Sequence, residues 1–61
     1  MTKEQVVSAM LEKINNDTRA MGVQNGIQLS DIEQQIIQNQ PGLNYIISNL
    51  YDFILEKKLF V

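Results

Sequence analysis

Apolar residues recur every three or four positions along most of the chain, which is the spacing of one face of an α-helix. The first such stripe falls within an arc of about 140° on a helical wheel. Thr2 precedes it, and Gln5 follows three residues later, which fits a capping box. Gly22 then stands where a left-handed residue commonly ends a helix. We therefore predict a first helix over residues 3–21, with a stripe made of Val6, Val7, Met10, Leu11, Ile14, Thr18 and Met21.

Turn residues separate this helix from a second one. Residues 23–29 contain Asn25-Gly26, a dipeptide that tolerates positive φ, and we expect a plain loop because a two-stranded ribbon this short is barely stable. Ser30 with Glu33 three residues later predicts the N-cap of the second helix. Pro41-Gly42 predicts its end, since proline removes a backbone donor.

The most apolar stretch predicts a third helix from Leu43 to Lys58. Its apolar positions span an arc of about 200°, roughly twice what contact with one neighbouring helix requires. Either this helix lies between the first two, or one flank contacts another chain. An apolar tail at residues 59–61 follows it. The arc contains Leu43, Ile46, Ile47, Leu50, Tyr51, Phe53, Ile54 and Leu55.

These segments predict an all-α fold with residues 1–61 in one small three-helix domain, whose C-terminal helix is long and strongly apolar. A chain of 61 residues buries only about 60% of the surface exposed by its unfolded form. The gain from that burial barely offsets the conformational entropy of about 1.5 kcal/mol per residue. We therefore expect a homo-oligomer, most simply a helical homodimer.

Composition narrows the possible chemistry. The sequence has neither Cys nor His, which excludes thiolate metal sites, disulfides and an imidazole base. Asp52 and Glu56 are stacked on one helix face, but they lie opposite the apolar arc, so we interpret them as a solvated surface. The three glycines are isolated and form no phosphate-binding loop. We predict no enzymatic activity, no catalytic residue, no metal and no cofactor.

The amino-terminal segment predicts the location of the chain. It lacks the basic start and apolar run of a signal peptide, and no apolar stretch approaches the roughly 18 residues that a bilayer span needs. We expect a cytoplasmic protein with no membrane partner.

Aromatic and apolar residues of the C-terminal third are the candidate interaction surface. Such side chains, with few charges among them, are enriched in protein interfaces. Tyr51 and Phe53 could instead fill the small core, and Tyr45 could be a lone exposed aromatic. We predict a small protein–protein interaction module, a regulator, inhibitor or adaptor, that binds itself and a larger protein partner. The predicted surface consists of Tyr45, Ile46, Tyr51, Phe53, Leu55, Leu59 and Phe60.

Two alternatives remain at this point. The second helix, the Pro41-Gly42 corner and the third helix resemble the helix-turn-helix portion of winged-helix DNA-binding domains, which implies a transcriptional regulator with the third helix in the major groove. Nucleic acid is disfavoured as a partner because the net charge is -2 and the outer face of that helix carries carboxylates without Lys or Arg. The other alternative is a structural subunit of a larger assembly.

Overall fold

The structure, a computed structural model, describes residues 1–59, and those residues form two helices. Helix α1 spans Lys3–Gln24 and helix α2 spans Leu29–Glu56. They run antiparallel as a hairpin with extents of 40 × 21 × 17 Å. The all-α prediction is confirmed, but the three-helix prediction is wrong. The radius of gyration of 13.7 Å exceeds the roughly 10.5 Å of a compact chain of this length, because two layers of helix cannot enclose a round core.

Helix α1 begins as the sequence predicts. The Thr2 hydroxyl accepts a hydrogen bond from the Gln5 backbone N–H over 3.2 Å, and the Gln5 side chain accepts from the Thr2 N–H over 2.9 Å. This reciprocal capping box pairs two backbone donors that the helix itself leaves unpaired. The predicted capping interaction is therefore confirmed.

The end of α1 corrects the prediction that Gly22 stops the helix. Gly22 lies inside α1, and the residue with positive φ is Gly26, at +80°. The Ile27 N–H donates to the Gly22 carbonyl, and the Gly26 N–H donates to the Val23 carbonyl. This pair of bonds is a Schellman motif, which needs a left-handed residue at the position of Gly26. The predicted loop is confirmed, and it covers residues 25–28.

The predicted N-cap at Ser30 is also wrong. Helix α2 begins at Leu29 with Gln28 as its N-cap, and no side chain caps it. A capping box at Ser30 would need the Glu33 carboxylate to fold back on its own helix. That carboxylate instead reaches across to Arg19 of α1.

Helix α2 passes through Pro41-Gly42, where we predicted a helix end, and therefore unites the predicted second and third helices. The reason is that the side packed against α1 keeps one register across the proline. Ile36 and Leu43 are seven residues apart, so they lie two turns apart on one face. Packing along that face outweighs the backbone hydrogen bond that Pro41 cannot donate. The helix is long, but five amides at residues 34–40 make it less apolar than predicted: Gln34, Gln35, Gln38, Asn39 and Gln40.

The C-terminal end of α2 is a second Schellman motif. Leu59 donates its N–H to the Ile54 carbonyl, and Lys58 donates to that of Leu55. Lys58 adopts a φ of 55°, a conformation that glycine usually supplies. The helix therefore ends at Glu56, two residues before the predicted end.

The core is a thin seam between the helices. Within residues 1–59 only five hydrophobic residues are buried, and Met10 and Leu43 pack against part of this seam with partial burial. The C-terminal helix therefore packs against one helix, rather than lying between two as one interpretation of its apolar arc proposed. The buried hydrophobic residues are Val7, Leu11, Ile32, Ile36 and Ile47.

Gly22 allows the helices to approach closely near the loop. A Cβ atom at this position would lie 2.5 Å from Ile32 Cδ1 and 2.8 Å from Ile32 Cγ1. Ile32 is itself buried, so it has little room to move. The glycine that looked like a helix terminator is therefore a packing residue.

Replacing Pro41 tests whether α2 is continuous. Pro41 is exposed inside the helix, so Pro41→Ala restores a backbone donor without disturbing the core. We expect the free energy of unfolding to rise by about 1–3 kcal/mol, measured by urea denaturation at fixed protein concentration. An unchanged midpoint would indicate that the helix is broken at this position.

Gly22 and Gly42 form a matched pair because both lie inside helices. Gly22→Ala places a methyl group against Ile32, and we expect a loss of about 1 kcal/mol or more by urea denaturation. Gly42 has open space around its Cβ position, so Gly42→Ala is expected to raise stability by about 0.5–1 kcal/mol. Equal stabilisation by both substitutions would contradict the close approach at Gly22.

Candidate interaction surface

An apolar groove runs along one side of the hairpin, in the half away from the loop. It has a volume of about 490 Å³, and its lining is almost entirely apolar. The groove exists because α1 and α2 each carry apolar residues beyond the seam that they bury together. We define the apolar groove by Met1, Val6, Met10 and Ile14 at one wall, and Leu50 and Ile54 at the other.

Two further residues extend the wall formed by α2. Ile46 and Phe53 lie four residues before and three residues after Leu50, so helical spacing places them on the same side. Leu50, Ile46 and Phe53 are 53%, 54% and 50% exposed. Side chains of this size are usually well buried in a folded domain. Together with the groove they form one continuous surface, which we call the apolar face.

The structure distributes the predicted surface residues over several sides of α2. Ile46 and Phe53 belong to the apolar face, whereas the half-buried Tyr51 and the half-exposed Leu55 lie on the opposite flank. Tyr45 is 71% exposed and lies on the outer surface.

The predicted tail is described only in part. Leu59 is exposed after the end of α2, and Phe60 lies outside the described residues.

Sequence reasoning missed the wall that α1 contributes. Val6, Met10 and Ile14 belong to the apolar stripe of the first helix, but none of them is among the predicted surface residues. The width of the apolar stripe on the first helix could have revealed this wall. An arc of about 140° exceeds what one neighbouring helix covers, so part of it had to remain open.

The opposite edge of the hairpin is polar and joins the helices by specific pairs. Lys3 Nζ lies 2.9 Å from Asp52 Oδ1, which places the predicted solvated carboxylate in an ion pair across the helices. Arg19 Nη2 donates to Glu33 Oε2 over 3.2 Å, while Arg19 Nε donates to Glu33 Oε1. These pairs set the register of α1 against α2. On the surface of α1, Lys13 Nζ lies 2.9 Å from Asp17 Oδ1 one helical turn away.

The bidentate pair of Arg19 and Glu33 changes the acidity of both groups. The hydrogen bonds from Arg19 lower the pKa of the Glu33 carboxyl below its ordinary value of 4.5. The same contact raises the pKa of Arg19. Both side chains remain partly exposed, so the pair is a surface clamp near the loop and not a buried charge pair.

A buried amide lies between this clamp and the apolar seam. The Asn15 Nδ2 group donates to the Gln40 Oε1 atom over 3.2 Å, while the Asn15 Oδ1 atom is buried and finds no hydrogen-bond partner among residues 1–59. Such a polar residue in a helix interface favours the one register in which its donor is paired. Asn15 therefore supports the alignment that the two ion pairs across the helices also set.

The groove carries little charge. In the part of the chain that the structure describes, no group of three or more acidic residues is placed to hold a metal ion. Lys13 is the charged residue at the groove, and its ammonium group is engaged with Asp17. Lys57 Nζ lies 6.0 Å from the centre of the Phe53 ring, at the edge of a cation–π contact. Neither helix within residues 1–59 is long and apolar enough to cross a membrane.

The Arg19–Glu33 pair predicts a pH dependence of stability. Because the folded-state pKa of Glu33 is lowered, its contribution is present above pH 4.5 and is lost as the pH falls through the folded-state value. We expect Glu33→Gln to destabilise the hairpin at pH 7 and to have little effect near pH 2, in urea titrations. Glu12 makes no ion pair within residues 1–59, so Glu12→Gln serves as the control. An equal effect of Glu33→Gln at both pH values would contradict the clamp.

Comparison with known proteins adds no relative to this description. The chain matches no protein-family model, no curated protein and no solved structure. The fold and the surface described above are therefore the grounds on which a function is proposed.

Proposed function

We propose that this chain is a small non-enzymatic protein–protein interaction module and that the apolar face is its binding surface. The observation that carries the proposal is the contrast between the two edges of the hairpin. One edge is held by polar pairs between the helices. The other is an open groove lined by apolar side chains. A surface of this kind becomes stable when another protein covers it.

The chemistry of the apolar face favours a protein as the occupant. Its walls combine branched aliphatic side chains with two methionines. Methionine side chains are flexible, so they adapt readily to another apolar surface. Phe53 adds an aromatic ring at the edge, and aromatic residues are frequent anchors of protein interfaces. Docking at this face strips little water from formal charges. We propose the cytoplasm as the location of the module, and a regulator, inhibitor or adaptor as its role.

The helix-turn-helix alternative loses the feature that suggested it. That resemblance needs a turn between two helices at Pro41-Gly42, and residues 29–56 form one helix there. A structural subunit of a larger assembly would use the same apolar face, and it differs from a regulator only in the partner.

Affinity capture with matched variants tests the proposal. The tagged chain is expressed in the organism that encodes it, and the bound proteins are identified, including a second copy that carries a different tag. We expect Leu50→Glu to abolish the capture of a partner, because a carboxylate would then enter the apolar face. Leu50 is already half-exposed, so the hairpin should keep its helical circular dichroism spectrum.

The control places the same charge elsewhere on α2. Gln38 is exposed and lies about 120° around the helix from Leu50, so Gln38→Glu should retain the partner. Capture of the same proteins by wild type and Leu50→Glu would refute the assignment of the surface. The absence of any bound protein, including a second copy, would refute the proposed function.

A further inference from the structure

We propose that a second copy of this chain covers the apolar face, in a parallel arrangement that places the loops of both hairpins at the same end of a four-helix bundle. This inference rests on the proposed function, since it names the partner of the same surface. It is carried by three features of the hairpin: the amount of exposed surface, the match between the two walls of the groove, and the uneven distribution of apolar residues along its length.

The exposed area fits one additional contact of ordinary size. The chain exposes 4858 Å². A compact monomer of 7.0 kDa exposes about 4,000 Å² by the usual scaling of surface with mass. The excess of roughly 800 Å² equals the area that each partner buries in a stable interface of standard size. Two hairpins that each bury this excess would expose about 4,000 Å² per chain, which is the surface of a compact monomer of this mass.

The two walls of the groove overlap in height at the end of the hairpin away from the loop. The ion pairs Lys3–Asp52 and Arg19–Glu33 give the register of the two helices. A residue of α1 lies level with a residue of α2 when their residue numbers add up to about 54. A two-fold axis along the hairpin lays α1 of one copy over α2 of the other at equal height. By this rule Met1 lies level with Ile54, and Val6 lies between the levels of Ile46 and Leu50, so the two apolar walls meet over the part of the groove farthest from the loop.

The parallel direction of the two copies follows from the difference between the groove half and the loop half of the hairpin. Toward the loop, helical spacing continues the stripe of Ile46 with Asn39 and Gln35. The depression at that end is lined by Ile27 and Ile32 together with Thr18, Asp31, Gln34 and Gln35, so it is more polar than the groove although part of it is apolar. Full overlap of antiparallel hairpins would press these polar groups onto the apolar groove. The parallel arrangement sets apolar against apolar and amide against amide, so it avoids that desolvation cost.

Charge does not oppose packing between the two groove halves. Lys13 at the rim of the groove is already paired with Asp17 on the same helix at 2.9 Å. Each copy therefore brings a neutralised rim to the contact. The amides of the loop half can pair with one another across the interface, as neutral polar side chains do in helical bundles.

Sedimentation equilibrium over a range of concentrations tests the partner. We expect a dimer for the wild type and for Gln38→Glu, and an increase of at least about tenfold in the dimer dissociation constant for Leu50→Glu. A wild-type chain that stays monomeric and well folded at millimolar concentration would overturn the inference. Such a result would leave the proposed function standing if affinity capture still finds a partner that Leu50→Glu loses.

A distance between identical spin labels tests the direction. The chain has no cysteine, so Gln24→Cys at the exposed end of α1 introduces one labelling site beside the loop. In the parallel dimer the two labels lie side by side, at a distance well below the 40 Å length of one hairpin. In an antiparallel dimer they lie at opposite ends, at least about 40 Å apart. The longer distance would overturn the parallel arrangement.

Discussion

Two helices can bury only the faces that they share, and this constraint governs the whole molecule. Each helix of the hairpin has a single neighbour, so the seam between them hides five hydrophobic residues within the described chain. The apolar side chains beyond that seam stay partly or largely exposed to solvent. The apolar groove is the consequence, because both helices carry stripes wider than one contact can cover.

The polar edge makes the open groove possible. A seam this thin does little to fix the register of α1 against α2, because aliphatic side chains can slide past one another. The Arg19–Glu33 clamp, the Lys3–Asp52 pair and the Asn15–Gln40 hydrogen bond each join α1 to α2 at a different height. They align the hairpin on one side and leave the other side free for contact. Asymmetry between the two edges is thus the link between the fold and the proposed function.

The interpretation of Pro41-Gly42 shows how local signals can mislead. Proline and glycine together favour a helix end, and this inference was sound as a statement about local propensity. It failed because the apolar positions on either side, Ile36 and Leu43, stay in phase for packing against α1. That phase was visible in the spacing, and it would have joined the two predicted helices. A tertiary contact also decides the role of Gly22, which allows close packing of the helices. Gly26 supplies the left-handed turn.

The sequence alone determined the helical class, the capping box at Thr2, the loop around Asn25-Gly26 and the excess of apolar surface on the C-terminal helix. These features depend on residues close together in the chain, where spacing and backbone preference decide. Only the tertiary structure decided that there are two helices and not three, and that α1 supplies half of the groove. It also decided that Glu33 pairs with Arg19 and does not cap its own helix. Those outcomes depend on contacts between residues far apart in the chain, whose energies outweigh the local preferences of proline, glycine and serine.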